Sequence, residues 1–283
     1  MGNERNALLD GNGMTESEFL ASYDIAKYPQ PSITVDNVIF TVEDNDLRVL
    51  LIKRGGHPYL GSWALPGGFM AIDESTDEAV RREIREETAL DLDGRLDGNS
   101  LPLYFEQLRT YSEPGRDPRG RIVSCAYMTL VGNEVASLIK AGDDASDAAW
   151  FSVSGEVGRD LVLVQVCDED GTEEPAVLLG DDGDRLAFDH EVILSDAISR
   201  LRAKIDYSCI GFAFQDDEFT VTELRHVYEA VSGRHHDAGN FMRFFTKMLL
   251  GRGIVREADK RQTKGRPAKT YFFDGRAYDE IIR

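Results

Sequence analysis

The chain has 283 residues, long enough for two domains with separate cores, and its 42% hydrophobic and 29% charged residues match a globular protein. No apolar run approaches the roughly 18 residues that cross a bilayer, and the first thirty residues lack a basic start followed by an apolar stretch, so a cytoplasmic protein without a membrane segment is expected. The net charge of −19 opposes nucleic-acid binding by the chain as a whole, yet residues 1–185 carry 16 Lys/Arg against 36 Asp/Glu while residues 186–283 carry 16 against 15, which marks two different surfaces.

In residues 1–31, Thr15 followed by Glu18 forms a capping box that opens a short helix from Phe19 to Ile25, and Pro29 and Pro31 end it. From Ser32 the pattern is β-rich: SITVDNVIFTV, a turn at Glu43 to Asp46, then LRVLLIKR, which together predict a hairpin. A Gly/Pro-rich loop from Gly55 to Gly68 leads to a polar helix over about 75–88, with Thr76 as its expected N-cap. Strands follow around 103–110 and 122–131, and Trp150 and Phe151 close a first domain over 32–153. Residues 154–185 contain LVLVQV, an acidic turn and AVLL, which predict a two-stranded insertion or linker. Cys125, Cys167 and Cys209 are far apart and odd in number, which suits neither a disulfide framework nor a zinc site.

The stretch from Gly68 to Leu90 carries the chemistry. On a helix with 100° per residue, Glu83, Glu86 and Glu87 fall within one arc of about 100°. Three carboxylates facing one point are unfavourable without a counter-cation, and hard Mg²⁺ or Mn²⁺ prefers such oxygen ligands and bridges them to phosphates. A solvated acidic face is the alternative reading of the same three residues. Val80 and Ile84 supply the apolar contact that fixes the helix to a sheet, and Gly67 and Gly68 let backbone approach closely before it.

With its spacing Gly68-x5-Glu74-x7-Arg82-Glu83-Ile84-x-Glu86-Glu87-x-Ala89-Leu90, this stretch resembles the Nudix box, departing only at Ala89, where glycine is usual. The resemblance implies an α/β/α sandwich with a mixed sheet and hydrolysis of a pyrophosphate bond, in which Arg82 holds a glutamate in position and Glu74 supports the loop. It leaves the general base open among Glu113, Asp117, Asp143 and Asp144. KRGGHPYLGSWALPGGF is similar to the ADP-ribose branch of that family, which implies that Arg54, Trp63 and Phe69 contact a nucleotide; core packing of Trp63 is an equal reading. In RDPRGR, Arg116, Arg119 and Arg121 are candidate phosphate partners.

From residue 186 the composition turns helical. Thr220 with Glu223 is a second capping box; its helix ends near Val231, Ser232-Gly233 turns the chain, and a second helix covers about 238–250, which is helix-turn-helix spacing. Asn240, Arg243 and Lys247 form one exposed stripe on the second helix, while Phe241, Phe244, Phe245 and Met248 are placed toward the core. IVREA and KTYFF flank a basic turn, with Arg261, Lys264, Arg266 and Lys269 free to reach phosphates, so a wing that binds double-stranded DNA is expected. Residues 234–269 hold ten bases against three acids.

With LAFDH, YEA and GRPAKTY added, residues 15–283 resemble the Nudix-related transcriptional regulators, an ADP-ribose-sensing Nudix domain followed by a winged helix. The resemblance implies an α+β chain, a nucleotide ligand of ADP-ribose type with Mg²⁺ or Mn²⁺, DNA as partner and a homodimer. A metal-dependent ADP-sugar or dinucleotide pyrophosphohydrolase, whose second domain serves dimerisation, is the alternative, and the two are compatible.

Overall fold

The structure is a computed structural model that describes residues 8–88, 104–137, 145–166, 176–179, 183–258 and 268–274. Helix α1 (Glu16–Ser22) starts at the Thr15/Glu18 capping box and buries none of its residues. Strands β1 (Ser32–Glu43) and β2 (Asp46–Arg54) form the expected hairpin. Asp44 and Asn45 between them have φ of 53° and 66°, and two left-handed residues make the turn whose twist matches that of the flanking strands.

Two short strands, β3 (Trp63–Ala64) and β4 (Gly67–Phe69), lie in the loop before helix α2 (Thr76–Thr88). Then come β5 (Tyr104–Tyr111), β6 (Ile122–Leu130), the short α3 (Asn133–Ala136), β7 (Ala145–Ser154), β8 (Val162–Gln165) and β9 (Val177–Leu178). The sheet runs β5-β6-β1-β2-β7-β8-β9, with β3 on β2 and β4 on β1. Only β1 and β6 pair in parallel among the described strands, so the sheet is mixed. The segment read as a two-stranded insertion or linker forms two paired strands, β8 and β9, and these extend the sheet through β7.

Alternation along β1 separates two cores. Val35 and Ile39 pack with Ala79, Val80 and Ile84 of α2 on one face. Val38, Phe40 and Val42 lie on the other, in a cluster that continues into α4 (His190–Ile205) and α5 (Val221–Ser232). The result is the α/β/α sandwich the sequence suggests. Helix α4, assigned by sequence to the second domain, packs on both: Ile193, Leu194, Ile198 and Leu201 are fully buried in a cluster shared by the sheet and the later helices. Each contributes roughly 1.5–3 kcal/mol, which outweighs polar ties worth about 1 kcal/mol each.

Helix α5 starts at the Thr220/Glu223 capping box and stops at Gly233, whose φ of 67° is a left-handed cap that suits glycine. Asp237 caps α6 (Ala238–Phe244), which runs on as a π-helical turn to Leu250. Strands β10 (Val255–Glu257) and β11 (Tyr271–Phe273) pair antiparallel, and Phe219 exchanges backbone hydrogen bonds with Tyr271. This is a winged helix, and the turn carrying Arg261, Lys264 and Arg266 lies outside the described residues. No helix among the described residues is long and apolar enough to cross a membrane.

Candidate functional site

Helix α2 brings the acidic residues to the backbone of β4. Ser75 caps the helix rather than Thr76: its hydroxyl accepts the Glu78 amide while Glu78 accepts the Ser75 amide at 2.8 Å. Thr76 instead accepts the Tyr127 hydroxyl at 2.8 Å. Arg82 binds Glu74 through Nη2 at 2.6 Å and Nε at 3.1 Å, and also donates to the Phe69 carbonyl at 3.0 Å. Glu74 in turn accepts the Ala71 amide at 2.6 Å, so one ion pair closes the loop over the helix.

The three carboxylates do not meet at one point. Arg82 Nη1 reaches Glu83 at 2.7 Å and Glu86 at 3.1 Å, and Glu86 is exposed, whereas Glu87 is buried and accepts the Gly67 amide at 2.7 Å. Among the described residues no three His, Cys, Asp or Glu side chains converge closely enough to hold a metal ion. The guanidinium of Arg82 and the Gly67 amide take the carboxylates instead.

The donor set still suits a hard cation. Burial raises the pKa of Glu83 despite Arg82, and it raises that of Glu87 to about 8, with Glu83 and Asp36 adding repulsion. A Cβ at Gly68 would meet the Glu83 carboxylate, so a side chain there would displace that carboxylate from its present place against β4. All-oxygen ligands pushed toward their protonated forms are the groups that a divalent cation stabilises as anions.

Beside these acids a cleft is lined by Asp36, Arg54, Gly67, Gly68, Phe69, Arg116, Asp117, Arg119, Phe188 and His190. It gathers Arg54, Gly67, Gly68, Phe69, Arg116 and Arg119 from the sequence-predicted set. Trp63 is corrected to the core: it is 6% exposed and meets Phe151 edge-on at 4.9 Å. Arg116 lines the cleft but is held by Asp189 at 2.5 and 2.8 Å, with Asp36 at 3.5 Å. Burial disfavours its charge, yet these acids keep its pKa above the ordinary value. Arg119 is paired with Asp117 at 2.7 Å, and Arg121 donates to the Ser112 carbonyl at 2.8 Å. Glu113 is exposed, Asp117 is buried in the cleft, and Asp143, Asp144 and Ala89 lie outside the described residues.

Asp36, Phe188 and His190 were not singled out by sequence. The signal for Asp36 was a lone acid inside an apolar strand; Phe188 and His190 lay in LAFDH without an assigned role. His190 is buried, which lowers its pKa and keeps it neutral. Its Nδ1 accepts the Leu65 amide at 2.9 Å, which places the proton on Nε2, 3.4 Å from Asp36. Phe188 has φ 55°, a left-handed backbone that is rare for a bulky residue.

On the winged helix, Asn240, Arg243 and Lys247 are exposed along the second helix, where Arg243 hydrogen-bonds Asn240. Phe241 and Phe245 are buried, but Phe244, expected inside, is 36% exposed. Buried positions recur every four residues, at 241, 245 and 249, a spacing that the widened turn accommodates and that leaves Phe244 outside. Lys269 bonds Glu257 across the wing at 2.7 Å. Cys125 and Cys209 are free thiols.

A mixed sheet with an acidic helix on one face, followed by a winged helix, defines a class: a phosphate-chemistry domain joined to a DNA-binding fold. A model of the NUDIX domain matches residues 33–172, and a model of the NrtR DNA-binding winged helix domain matches residues 211–273. The chain belongs to the Nudix family, with a Nudix sandwich followed by an NrtR-type winged helix. It is 29% identical over 271 residues to the ADPR responsive transcriptional repressor NtrR of Acinetobacter baylyi, covering 95% of this chain and 92% of that protein. It is also 35% identical over 170 residues to the ADP-ribose pyrophosphatase of Methanocaldococcus jannaschii, covering 60% of this chain and 74% of that one. The crystal structure of Shewanella oneidensis NrtR complexed with a 27mer DNA superposes with a TM-score of 0.61 at 32% identity, covering 87% and 95% of the two chains. Nudix hydrolases generally use divalent metal ions.

Proposed function

We propose that this protein is a cytoplasmic, homodimeric transcriptional repressor whose Nudix cleft binds ADP-ribose or a related nucleoside diphosphate derivative and whose winged helix binds double-stranded DNA. The carrying observation is that one wall of the cleft, Phe188 to His190, leads directly into α4, on which the winged helix packs. Arg54, Gly67, Gly68, Phe69, Arg116 and Arg119 face the diphosphate and its substituents. Glu83, Glu86 and Glu87 would hold Mg²⁺ or Mn²⁺ by turning from Arg82 and the Gly67 amide to the cation, which would neutralise phosphate charge when bound. Glu74 and Arg82 position that loop. Asn240, Arg243, Lys247, Arg261, Lys264, Arg266 and Lys269 face DNA. Full-length similarity to an ADPR responsive repressor supports this reading.

The test is an electrophoretic mobility shift on the chain's own upstream DNA with and without ADP-ribose. Salt-sensitive binding that ADP-ribose relieves is expected; no binding at low salt overturns the reading. A second reading, hydrolysis of ADP-ribose, is favoured by the complete set of box carboxylates and by similarity to an ADP-ribose pyrophosphatase. Chromatographic detection of AMP with Mg²⁺ or Mn²⁺ decides it, because wild type and Glu86→Gln that are equally inert would remove hydrolysis.

A further inference from the structure

The second helix of the winged helix carries one side chain that phosphate contact does not explain. Helix α6 holds Asn240, Arg243 and Phe244 within one arc of about 100°, with Asn240 in its middle. Asn240 and Arg243 are exposed hydrogen-bonding residues, whereas Phe244 is an aromatic ring, 36% exposed, that lines one cavity together with Asn240. A single exposed apolar residue is ordinary on a protein surface. Phe244 differs in its place, because the second helix of a helix-turn-helix is the element that meets base edges in the major groove. It is also the last residue before the π-helical turn, and widened turns of this kind are frequent at functional sites.

The neighbours of the ring fix what it can meet. Its centre lies 5.7 Å from that of Phe241 and 6.0 Å from that of Tyr228, and these two rings are buried and only 5.3 Å apart. Seated on them, Phe244 has little rotational freedom left to lose on binding. Arg243 and Lys247 stand exposed beside it and attract phosphate, which brings this face of the helix onto a duplex. A phenyl ring neither bonds a phosphate nor pairs with the polar edge of a base. The apolar group that the major groove presents is the C5 methyl of thymine, and contact with a phenylalanine is one of the ways in which it is read.

We infer that Phe244 is a specificity-determining residue of the winged helix, which reads a thymine methyl in the major groove beside the base edge that Asn240 reaches. The inference rests on the reading of α6 as the helix that faces DNA. It adds a preference for sequence to the attraction for phosphate that the basic residues supply.

The experiment measures, by fluorescence anisotropy at one salt concentration, the affinity of the full chain for its own upstream duplex and for the same duplex made with deoxyuridine in place of every thymidine. That exchange removes the methyl groups and leaves the phosphates and the base pairing in place. Wild type is expected to bind the uracil duplex at least about fourfold more weakly, or about 0.8 kcal/mol, the worth of burying one such group. Phe244→Ala is expected to lose about fourfold on the thymine duplex and to bind the two duplexes within about twofold of each other. Phe244→Gln, which keeps length without an apolar ring, behaves in the same way and decides the matter if Phe244→Ala does not fold. Met242→Ala removes another exposed apolar side chain, about 160° around the helix, and keeps the wild-type preference. Equal wild-type affinity for the two duplexes overturns the methyl contact and leaves DNA binding by α6 standing. A wild-type preference in a folded Phe244 variant overturns it too and assigns the ring to another surface, such as one between two copies of the chain; so does loss of the preference in Met242→Ala. No wild-type binding of either duplex removes the DNA-facing reading of α6 together with the inference.

Discussion

Glu87 shows how one side chain carries the tension of the site. Its carboxyl is buried, takes the Gly67 amide and faces Glu83 and Asp36, and burial lifts its pKa to about 8 from an ordinary value of 4.5. A raised carboxyl pKa means that the folded state binds a proton the unfolded state has released. The stabilisation is fully present below about pH 4.5 and is lost as pH rises through about 8. In protein stripped with EDTA, the melting temperature is therefore expected to fall between pH 6 and 9, and Glu87→Gln, a neutral copy of the protonated acid, to flatten that fall. Added Mg²⁺ protects more at pH 9 than at pH 6, because the cation competes with the proton. Thermal melts across that range check this, and a variant with the wild-type slope would show that Glu87 does not carry the effect.

At the scale of elements, the second helix of the winged helix presents Asn240, Arg243 and Lys247 to solvent, while Phe241 and Phe245 anchor it. A lysine on such a stripe contributes mainly by releasing counterions from phosphate, and each phosphate neutralised adds about 0.9 to the slope of log K against log salt. Lys247→Ala is expected to weaken DNA binding on specific and unrelated duplexes alike and to reduce that slope by about one. Fluorescence anisotropy from 50 to 200 mM salt reads it, and a loss confined to one sequence would instead make Lys247 a base-contacting residue. The helix pair was legible because its signals are local: a capping box at Thr220 and a glycine stop at Gly233 bound the first helix, and a run of phenylalanines marks the second. The β1–β2 hairpin and the box helix were legible for the same reason. What was hidden is set by tertiary contact. No spacing rule shows that Trp63 turns to Phe151, that Arg82 takes two of the carboxylates, or that Phe188 and His190 return across more than a hundred residues to a cleft begun by Asp36. The widened turn that leaves Phe244 outside likewise departs from the 3.6-residue period on which the core assignment rested.

Across the whole molecule, α4 joins the two ends of the proposed response. Its 16 residues span about 24 Å. At its start, Asp189 holds Arg116 and His190 holds the Leu65 amide, both at the cleft. At its far end, Arg202 donates to the Val231 carbonyl in the last turn of α5, and Asp206 pairs with Arg234 at 2.8 Å. Fully buried aliphatic side chains fix the helix to the sheet between these points, so it moves as a rigid element or not at all. A diphosphate that draws Arg116 away from Asp189 frees the start of α4, and the displacement arrives where the helix grips the helix-turn-helix. Coupling of this kind is reciprocal: if ADP-ribose weakens DNA binding by a given factor, DNA weakens ADP-ribose binding by the same factor, typically about 5- to 150-fold. Asp189→Asn keeps the shape but removes the charge that competes for Arg116. It is expected to bring the factor to within about twofold of unity, because the start of α4 is already released, with DNA affinity measured alone lowered toward that of ADP-ribose-bound wild type. Titrating each ligand in the absence and presence of the other gives the factor from both sides. A variant that keeps the wild-type factor would mean that the signal reaches DNA by a route other than α4, such as the relative placement of two copies of the chain.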